Sequence, residues 1–255
     1  MYTAGIDIGS ISTKAAIMEG SRVIASQVIF TGYNAEMAGR KIFEMVLDDA
    51  HLASGDIGRI LATGYGRRSV DFADRAVTEI MCHAAGARYM SPHIRAVIDI
   101  GGQDSKAILL NETGRVVNFA MNDKCAAGTG RFLEVMARAL EVDLDEFGRL
   151  SLQAAAPSKI SSLCTVFAES EVISLIARGE KRENIIAGIH ESICIRVLAM
   201  ANRVGVSAPI AMTGGVAKNI GVVKAFEKAF GSPVAVSEYA QINGAIGAAL
   251  LAQQA

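Results

Sequence analysis

The sequence predicts an α/β protein built from two related halves, and three features of the chain support this prediction. Residues 6–17 (IDIGSISTKAAI) and 98–109 (IDIGGQDSKAIL) share one pattern: an apolar strand ends in Asp-x-Gly, a polar turn follows, and a second strand begins at a lysine. Segments with strand-like and helical patterns follow both copies. A third apolar strand ends in the glycine pair Gly214-Gly215. Because the pattern recurs in register, we expect a duplicated fold with two equivalent hairpins.

Each element is predicted from local hydrophobic periodicity and from turn residues. In the first half, strands are expected at 3–9, 14–19, 22–30 and 59–63, and helices at 34–53 and 77–90. Pro92 marks the boundary to the second half. There we expect strands near 95–100, 105–110, 115–121 and 208–213, with helices at 130–140, from Cys164 to 178, at 183–204, from 216, and at 241–253. Residues 1–93 with 240–255 are predicted to form lobe I, and residues 94–239 lobe II, of one hinged unit.

Composition excludes several classes of protein. The 255 residues are 51% hydrophobic and 20% charged, which is enough for a large core and argues against disorder. A net charge of −1 without a basic stripe argues against nucleic acid as the main partner. No signal-peptide pattern opens the sequence, and no apolar run reaches the ~18 residues of a membrane span. We therefore expect a cytoplasmic protein.

The two hairpins have the residue types of a phosphate site. Glycines let backbone N–H groups approach an anion, hydroxyl groups add donors, and a lysine adds a point charge. An aspartate at each strand end suits hydrated Mg²⁺. Ordinary hairpins with turn residues are the alternative for either copy alone, but two copies favour a clamp for a nucleotide. The predicted contact residues are Asp7, Gly9, Ser10, Ile11, Ser12, Thr13, Lys14, Asp99, Gly101 and Gly102.

Gly214 and Gly215 offer bare backbone at the end of a strand, next to the expected helix start. This combination suits an adenosine or an α-phosphate, although a glycine pair at a strand end is common. Asn243 and Gly244 lie where the last helix is expected to begin, and we expect them to line the same cleft.

The four cysteines fall into two pairs. Cys82 and Cys194 lie inside apolar helical patterns, where a buried thiol is the usual occupant. Cys125 and Cys164 lie among small polar residues before expected helices, so the alternatives are metal ligands or helix-start thiols with a lowered pKa. Two thiolates cannot complete a four-thiolate iron–sulfur site, but a symmetric dimer could supply two from each subunit.

Longer motifs resemble those of one family. GIDIGSISTK, LATGYGR (61–67), VIDIGGQDSK, MNDKCAAGTGRFLEVMA (121–137), CTVFAESEVISLI (164–176) and MTGGVAKNIGV (212–222) are similar to the ATP-dependent activators of (R)-2-hydroxyacyl-CoA dehydratases, a group that includes the ATPase subunits of benzoyl-CoA reductase. The resemblance implies an actin/hexokinase/Hsp70-type fold (ribonuclease H-like duplicated lobes) with an ATP cleft between the lobes. It also implies a homodimer that holds one [4Fe–4S] cluster through Cys125 and Cys164.

The function implied is ATP-driven transfer of one electron at low potential to a dehydratase, from reduced ferredoxin or flavodoxin. Gln103 or Asp104 would orient the attacking water, as a glutamine does in some GTPases. One alternative is the ATPase subunit of benzoyl-CoA reductase or of another two-cluster reductase. An alternative of a different class is a small-molecule kinase of the same superfamily, although this chain lacks the insertions that usually build a kinase's substrate pocket.

Overall fold

Each half of the chain builds a five-stranded sheet, and the two sheets have the same strand order. A computed structural model describes residues 1–161 and 164–254. The first sheet contains β1 (Tyr2–Ile8), β2 (Ser12–Glu19), β3 (Arg22–Phe30), β4 (Ile57–Thr63) and β5 (Arg75–Ala76), in the order β3-β2-β1-β4-β5. The second contains β6 (Ala96–Ile100), β7 (Ser105–Leu110), β8 (Val116–Asn122), β9 (Ile210–Thr213) and β10 (Val234–Ala235), in the order β8-β7-β6-β9-β10. The predicted duplication therefore extends to the topology of both sheets.

The described chain divides into two compact units. Unit 1 comprises Met1–Val97, Leu110–Val117 and Ser237–Ala255, and unit 2 comprises Ile98–Leu109 and Asn118–Val236. The helices of unit 1 are α1 (Ala35–Ala50), α2 (Glu79–Met90) and α8 (Asn243–Ala252). Those of unit 2 are α3 (Gly130–Ala139), α4 (Leu144–Ser151), α5 (Thr165–Ala177), α6 (Arg182–Val204) and α7 (Ile220–Phe230).

In unit 1 the central strand β1 is buried from Thr3 to Ile8, because helices cover both of its faces. Helix α1 supplies Ile42 and Val46 to an apolar core with Ile6 and Ile8. On the other face, α8 approaches β1 so closely that a Cβ at Gly5 would lie 2.0 Å from the Ala245 carbonyl oxygen. Small residues are therefore required where this helix crosses the strand.

The sequence prediction of a helix from residue 216 is wrong in detail. Residues Gly215–Lys218 form a 3₁₀ turn, and α7 begins at Ile220 because the side chain of Asn219 accepts a hydrogen bond from the Val222 amide at 3.1 Å. An asparagine in this role is a favoured N-cap. The short helix α4, which Asp143 caps in the same way, was not predicted.

Helix α6 is long and apolar enough, by length and composition alone, to cross a membrane. A core helix can have the same length and composition, and 61% of the most apolar stretch of α6 is buried within the fold. Its apolar character is therefore accounted for by packing.

Candidate functional site

The turn between β1 and β2 places Asp7 beside Lys14. The two residues are paired in the antiparallel register, and Lys14 Nζ lies 3.5 Å from Asp7 Oδ2. The Gly9 amide closes the turn by donating to the Ser12 carbonyl at 3.1 Å. Asp7 is only 5% exposed. A buried carboxylate and an ammonium group next to a glycine turn suit a phosphate with its bound cation.

The predicted hydroxyl donors of this turn differ in whether they can reach a bound anion. Ser10 is exposed, and Ile11 and Ser12 are half-buried. Thr13 is buried, and its hydroxyl lies 2.9 Å from that of Thr31, which in turn donates into the turn at the Gly9 carbonyl. Since the Thr31 proton is used there, Thr13 donates to Thr31 and stabilises the turn from inside. Ser10 and Ser12 therefore remain as the donors able to reach an anion.

The turn between β6 and β7 repeats this geometry with a more rigid aspartate. The Gly101 amide donates to the Asp104 carbonyl at 2.9 Å. Lys106 Nζ lies 3.0 Å from Asp99 Oδ2, and Thr213 Oγ1 donates to Asp99 Oδ1 at 2.8 Å. Asp99 and Lys106 are each 2% exposed. Both oxygens of Asp99 are therefore held by the protein, whereas those of Asp7 are held more loosely.

The two candidates for orienting water are placed differently in this second turn. Asp104 Oδ2 lies 2.7 Å from Lys106 Nζ, so this carboxylate belongs to the ion pair that organises the turn. Gln103 is exposed. Asp104 is therefore engaged within the turn, whereas the Gln103 side chain is accessible.

A second duplicated feature, a Thr-Gly pair, follows the strand next to each aspartate. Gly64 and Gly214 have φ of +86° and +87°, a region that favours glycine. An added Cβ would lie 2.5 Å from the Ile8 carbonyl oxygen at Gly64 and 2.2 Å from the Ile100 carbonyl oxygen at Gly214. Gly214 was predicted from the sequence and Gly64 was not, although the Thr-Gly pair at a strand end marks both positions.

Gly215 differs from its neighbour. Among the described residues, nothing lies within 4 Å of the position that its Cβ would take. Gly215 is therefore not required by internal packing, and its bare backbone is open to a ligand.

Cys125 lies in a loop that is connected to the second hairpin turn. Its backbone is fixed by Asn122, whose side chain accepts from the Cys125 amide at 3.2 Å and donates to the Cys125 carbonyl at 2.8 Å. Helix α3 follows the loop, and its first amides, those of Gly130 and Arg131, donate to the Gly101 and Gly102 carbonyls at 2.9 Å and 2.8 Å. The glycines of the hairpin turn thus cap the helix that follows the cysteine loop.

Cys164 lies at the N-cap position of α5. Like Cys125 it is exposed, whereas Cys82 and Cys194 are buried. Burial raises the pKa of the Cys82 and Cys194 thiols to about 12, so these two stay protonated and inert at neutral pH. The structure therefore separates the four cysteines into the same two pairs that the sequence indicated.

The two exposed thiols have the residue type and the accessibility that a metal site requires. Within residues 1–161 and 164–254, no group of three or more His, Cys, Asp or Glu side chains is placed to hold a metal ion. Two accessible thiols per chain match half of a four-thiolate set. For Mg²⁺, Asp7 fits better than Asp99, because both oxygens of Asp99 already accept hydrogen bonds from Lys106 and Thr213.

Asn243 and Gly244 lie in the interior of unit 1. Asn243 is 1% exposed, and its Nδ2 donates to the His83 carbonyl at 3.0 Å, which ties α8 to α2. A Cβ at Gly244 would lie 2.9 Å from Asp7 Oδ2 and 3.2 Å from His83 Nε2. His83 is not predicted from the sequence, because its approach to Gly244 depends on the packing of α2 against α8.

Comparison with known proteins yields a family match and several close relatives. A profile of the BadF/BadG/BcrA/BcrD ATPase family matches residues 4–252. The chain is 48% identical over 256 residues to the activator of lactoyl-CoA dehydratase from Anaerotignum propionicum, covering 100% of this chain and 98% of that relative.

Two solved structures are similar over the whole chain. Component A of the Acidaminococcus fermentans (R)-2-hydroxyglutaryl-CoA dehydratase has a TM-score of 0.96 at 46% identity, covering 100% of this chain and 98% of the other. The activator of the 2-hydroxyisocaproyl-CoA dehydratase from Clostridium difficile, solved with bound ADPNP, has a TM-score of 0.94 at 45% identity, covering 100% and 95%.

A more distant likeness concerns the fold alone. A ROK-family glucokinase from Streptomyces griseus has a TM-score of 0.62 at 16% identity, covering 100% of both chains. The predicted α/β fold of the actin/hexokinase/Hsp70 type is confirmed.

Proposed function

The chain belongs to the BadF/BadG/BcrA/BcrD ATPase family, as its motifs predicted, and we propose that it is the ATP-hydrolysing electron donor that activates a 2-hydroxyacyl-CoA dehydratase. The close relatives named above are dehydratase activators. The partner would be a dehydratase of the same substrate class. Reduced ferredoxin or flavodoxin would supply the electron.

The observation that carries this proposal is the pair of hydrogen bonds between the second hairpin turn and α3. The carbonyls of Gly101 and Gly102 accept from the first amides of the helix that follows the Cys125 loop. If a phosphate binds to this turn and shifts its backbone, α3 and the cysteine loop must shift as well or lose these bonds. Such a connection is what coupling between nucleotide and electron transfer requires.

Cys125 and Cys164 would hold one [4Fe–4S] cluster together with the same two residues of a second chain. The cluster would supply a carrier for one electron. The surface of α5 supports a dimer, because only Ala168 and Val172 are buried on this helix, whereas Val166 and Phe167 are 65% and 68% exposed. Apolar side chains next to Cys164 would be buried by a partner.

The hairpins would bind the phosphates of ATP and its Mg²⁺. Lys14, Ser10 and Ser12 would contact phosphate oxygens, and Asp7 would hold the hydrated cation. Gln103 would orient the attacking water, since Asp104 is engaged with Lys106. Gly215 would let the nucleotide approach the backbone closely.

The test is an anaerobic assay with purified dehydratase components for 2-hydroxyglutaryl-, 2-hydroxyisocaproyl- and lactoyl-CoA. We expect dehydration with at least one of them, dependent on reductant and MgATP and not supported by ADPNP. Gln103→Ala should lower ATP hydrolysis roughly a hundredfold, in line with the loss of a group that positions the nucleophile, while ADPNP affinity is kept. Asp104→Asn is the comparison variant, and it should lose stability instead.

A small-molecule kinase would behave differently. The purified protein would be colourless, and ADP would be released only with a phosphate acceptor such as a sugar or a carboxylic acid. Dehydration that proceeds equally well with ADPNP or without nucleotide would also contradict the proposal.

A further inference from the structure

His83 is a buried side chain of α2 whose ring orientation is fixed by α8. It is 5% exposed. Asn243 Nδ2 donates to the His83 carbonyl at 3.0 Å and lies 3.3 Å from His83 Nδ1. Because a carbonyl oxygen only accepts, the amide nitrogen of Asn243 must face it, and that nitrogen only donates. Nδ1 of His83 is therefore the acceptor, and the ring proton is on Nε2.

Nε2 of His83 and the carboxylate of Asp7 both lie close to Gly244. The position of an added Cβ at Gly244 lies 3.2 Å from His83 Nε2 and 2.9 Å from Asp7 Oδ2. Both atoms therefore border the same small space, which only a glycine leaves open. Lys14 Nζ lies 3.5 Å from the same carboxylate oxygen. Asp7 Oδ2 therefore has one cationic group beside it, and the imidazole of His83 borders the same space over Gly244.

Asp99, the equivalent aspartate of unit 2, is held by different groups from those near Asp7. Asp99 is held by the Thr213 hydroxyl at 2.8 Å and by Lys106 at 3.0 Å. In unit 1 the matching hydroxyl, Thr63 Oγ1, makes no hydrogen bond to Asp7 in the described part of the chain, and Lys14 Nζ lies farther from Asp7 (3.5 Å) than Lys106 Nζ lies from Asp99 (3.0 Å). The duplicated halves therefore differ in how the hydroxyl and the lysine hold the aspartate.

We propose that His83 is a positioning residue for Asp7, orienting this carboxylate through the Nε2–H donor so that it can hold the hydrated Mg²⁺ of the nucleotide. The inference rests on the proposed function, since it takes Asp7 as the carboxylate of the metal site. His83 acts through Asp7 and does not contact the nucleotide. Its contribution belongs to the metal-dependent part of nucleotide binding.

The experiment measures ADPNP affinity by calorimetry, once with Mg²⁺ and once with EDTA, for the wild-type protein, His83→Leu, His83→Gln and Asp7→Asn. We expect His83→Leu to lose about tenfold in affinity with Mg²⁺, the size of one hydrogen bond to a charged group, and to match the wild type in EDTA. The amide nitrogen of glutamine reaches the position of Nε2, so His83→Gln should recover most of the loss. Tyr89→Phe, which removes the hydrogen bond of the same helix to the Ser21 carbonyl, is the matched control and should bind like the wild type in both buffers.

The other possible results of this experiment separate the role of His83 from the assignment of the metal site. The role of His83 is overturned if His83→Leu loses ADPNP affinity equally in both buffers. It is also overturned if His83→Leu keeps its ADPNP affinity while Asp7→Asn loses the Mg²⁺ dependence. Either result leaves the proposed function intact. If Asp7→Asn keeps the full Mg²⁺ dependence, the assignment of the metal site under the proposed function fails instead. Should His83→Leu not fold, His83→Gln against His83→Asn decides, because asparagine reaches only the Nδ1 position and should lose the Mg²⁺-dependent part.

Discussion

At the scale of single residues, His190 of α6 is the clearest case of a titratable group whose environment fixes its charge. The ring is 1% exposed, packs edge-on against Phe147, and its Nε2 lies 3.3 Å from Asn219 Nδ2. The Asn219 oxygen is occupied by the Val222 amide, so its nitrogen faces the histidine and donates. Burial lowers the pKa of His190 from 6.5 to about 3.

This burial predicts a loss of stability in mild acid. Below pH 6.5 the unfolded chain binds a proton at His190 that the folded protein excludes, so the free energy of unfolding falls by up to about 1.4 kcal/mol per pH unit until the folded pKa is reached. Above pH 6.5 the residue makes no contribution to the pH dependence. In His190→Gln this part of the slope should disappear between pH 6.5 and pH 5, as measured by urea unfolding at several pH values.

The exposed His93 provides the control. His93→Gln makes the same residue change at the surface, so the comparison with His190→Gln isolates the effect of the buried site. A His190→Gln variant that loses stability as steeply as the wild type over this range would show that carboxylates alone cause the acid sensitivity.

At the scale of elements, the Thr-Gly turn after β9 separates a structural glycine from one open to a ligand. A Cβ at Gly214 would meet the Ile100 carbonyl oxygen at 2.2 Å, and φ is +87°. Gly214→Ala should therefore lower the free energy of unfolding by about 2–4 kcal/mol, since both strain and a backbone clash oppose the methyl group.

Gly215→Ala is predicted to leave the free energy of unfolding nearly unchanged and to weaken nucleotide binding. Among the described residues no atom lies within 4 Å of its added Cβ, so stability should change by less than about 0.5 kcal/mol. ADPNP affinity should nevertheless fall roughly tenfold, because the methyl group would occupy space that the nucleotide is expected to use. Denaturant unfolding and calorimetry measure the two effects separately. Unchanged affinity in Gly215→Ala would remove this glycine from the proposed binding site.

The same elements show how far the sequence could predict the fold. Hydrophobic periodicity and turn residues predict both hairpins and the strands beside them. The same signals predict the helices α1, α3, α5, α6 and α8. The start of α7 could not be placed, because it depends on the capping geometry of Asn219 rather than on the apolar pattern. Helix α4 was missed because its two turns are too short for a clear period.

The candidate site was predictable only where its residues are neighbours in sequence. Asp7 with Lys14, and Asp99 with Lys106, are visible because each pair belongs to one hairpin. The contacts of Thr213 with Asp99 and of His83 with the surroundings of Asp7 join distant elements. Sequence spacing carries no information about such contacts, and the role of Asn243 in fixing α2 was hidden for the same reason.

At the scale of the whole molecule, the two units share a strand order and differ in what they add to it. In unit 1, Asp7 and His83 of α2 both lie close to Gly244 of α8. Unit 2 fixes its aspartate by a buried ion pair and connects the hairpin turn to α3 and the Cys125 loop. Among the described residues, the exposed cysteines lie in unit 2, where the proposed electron transfer requires them.

The central claim is that this ATPase holds a cluster between two chains through Cys125 and Cys164. The most direct measurement is the iron content and native mass of the anaerobically purified protein, compared with Cys125→Ala and with Cys82→Ala as the buried control. We predict a brown dimer with about two iron atoms per chain, a colourless and iron-free Cys125→Ala, and a Cys82→Ala that keeps its iron. A colourless wild-type ATPase, or a Cys125→Ala variant that retains the wild-type iron content, would contradict the account.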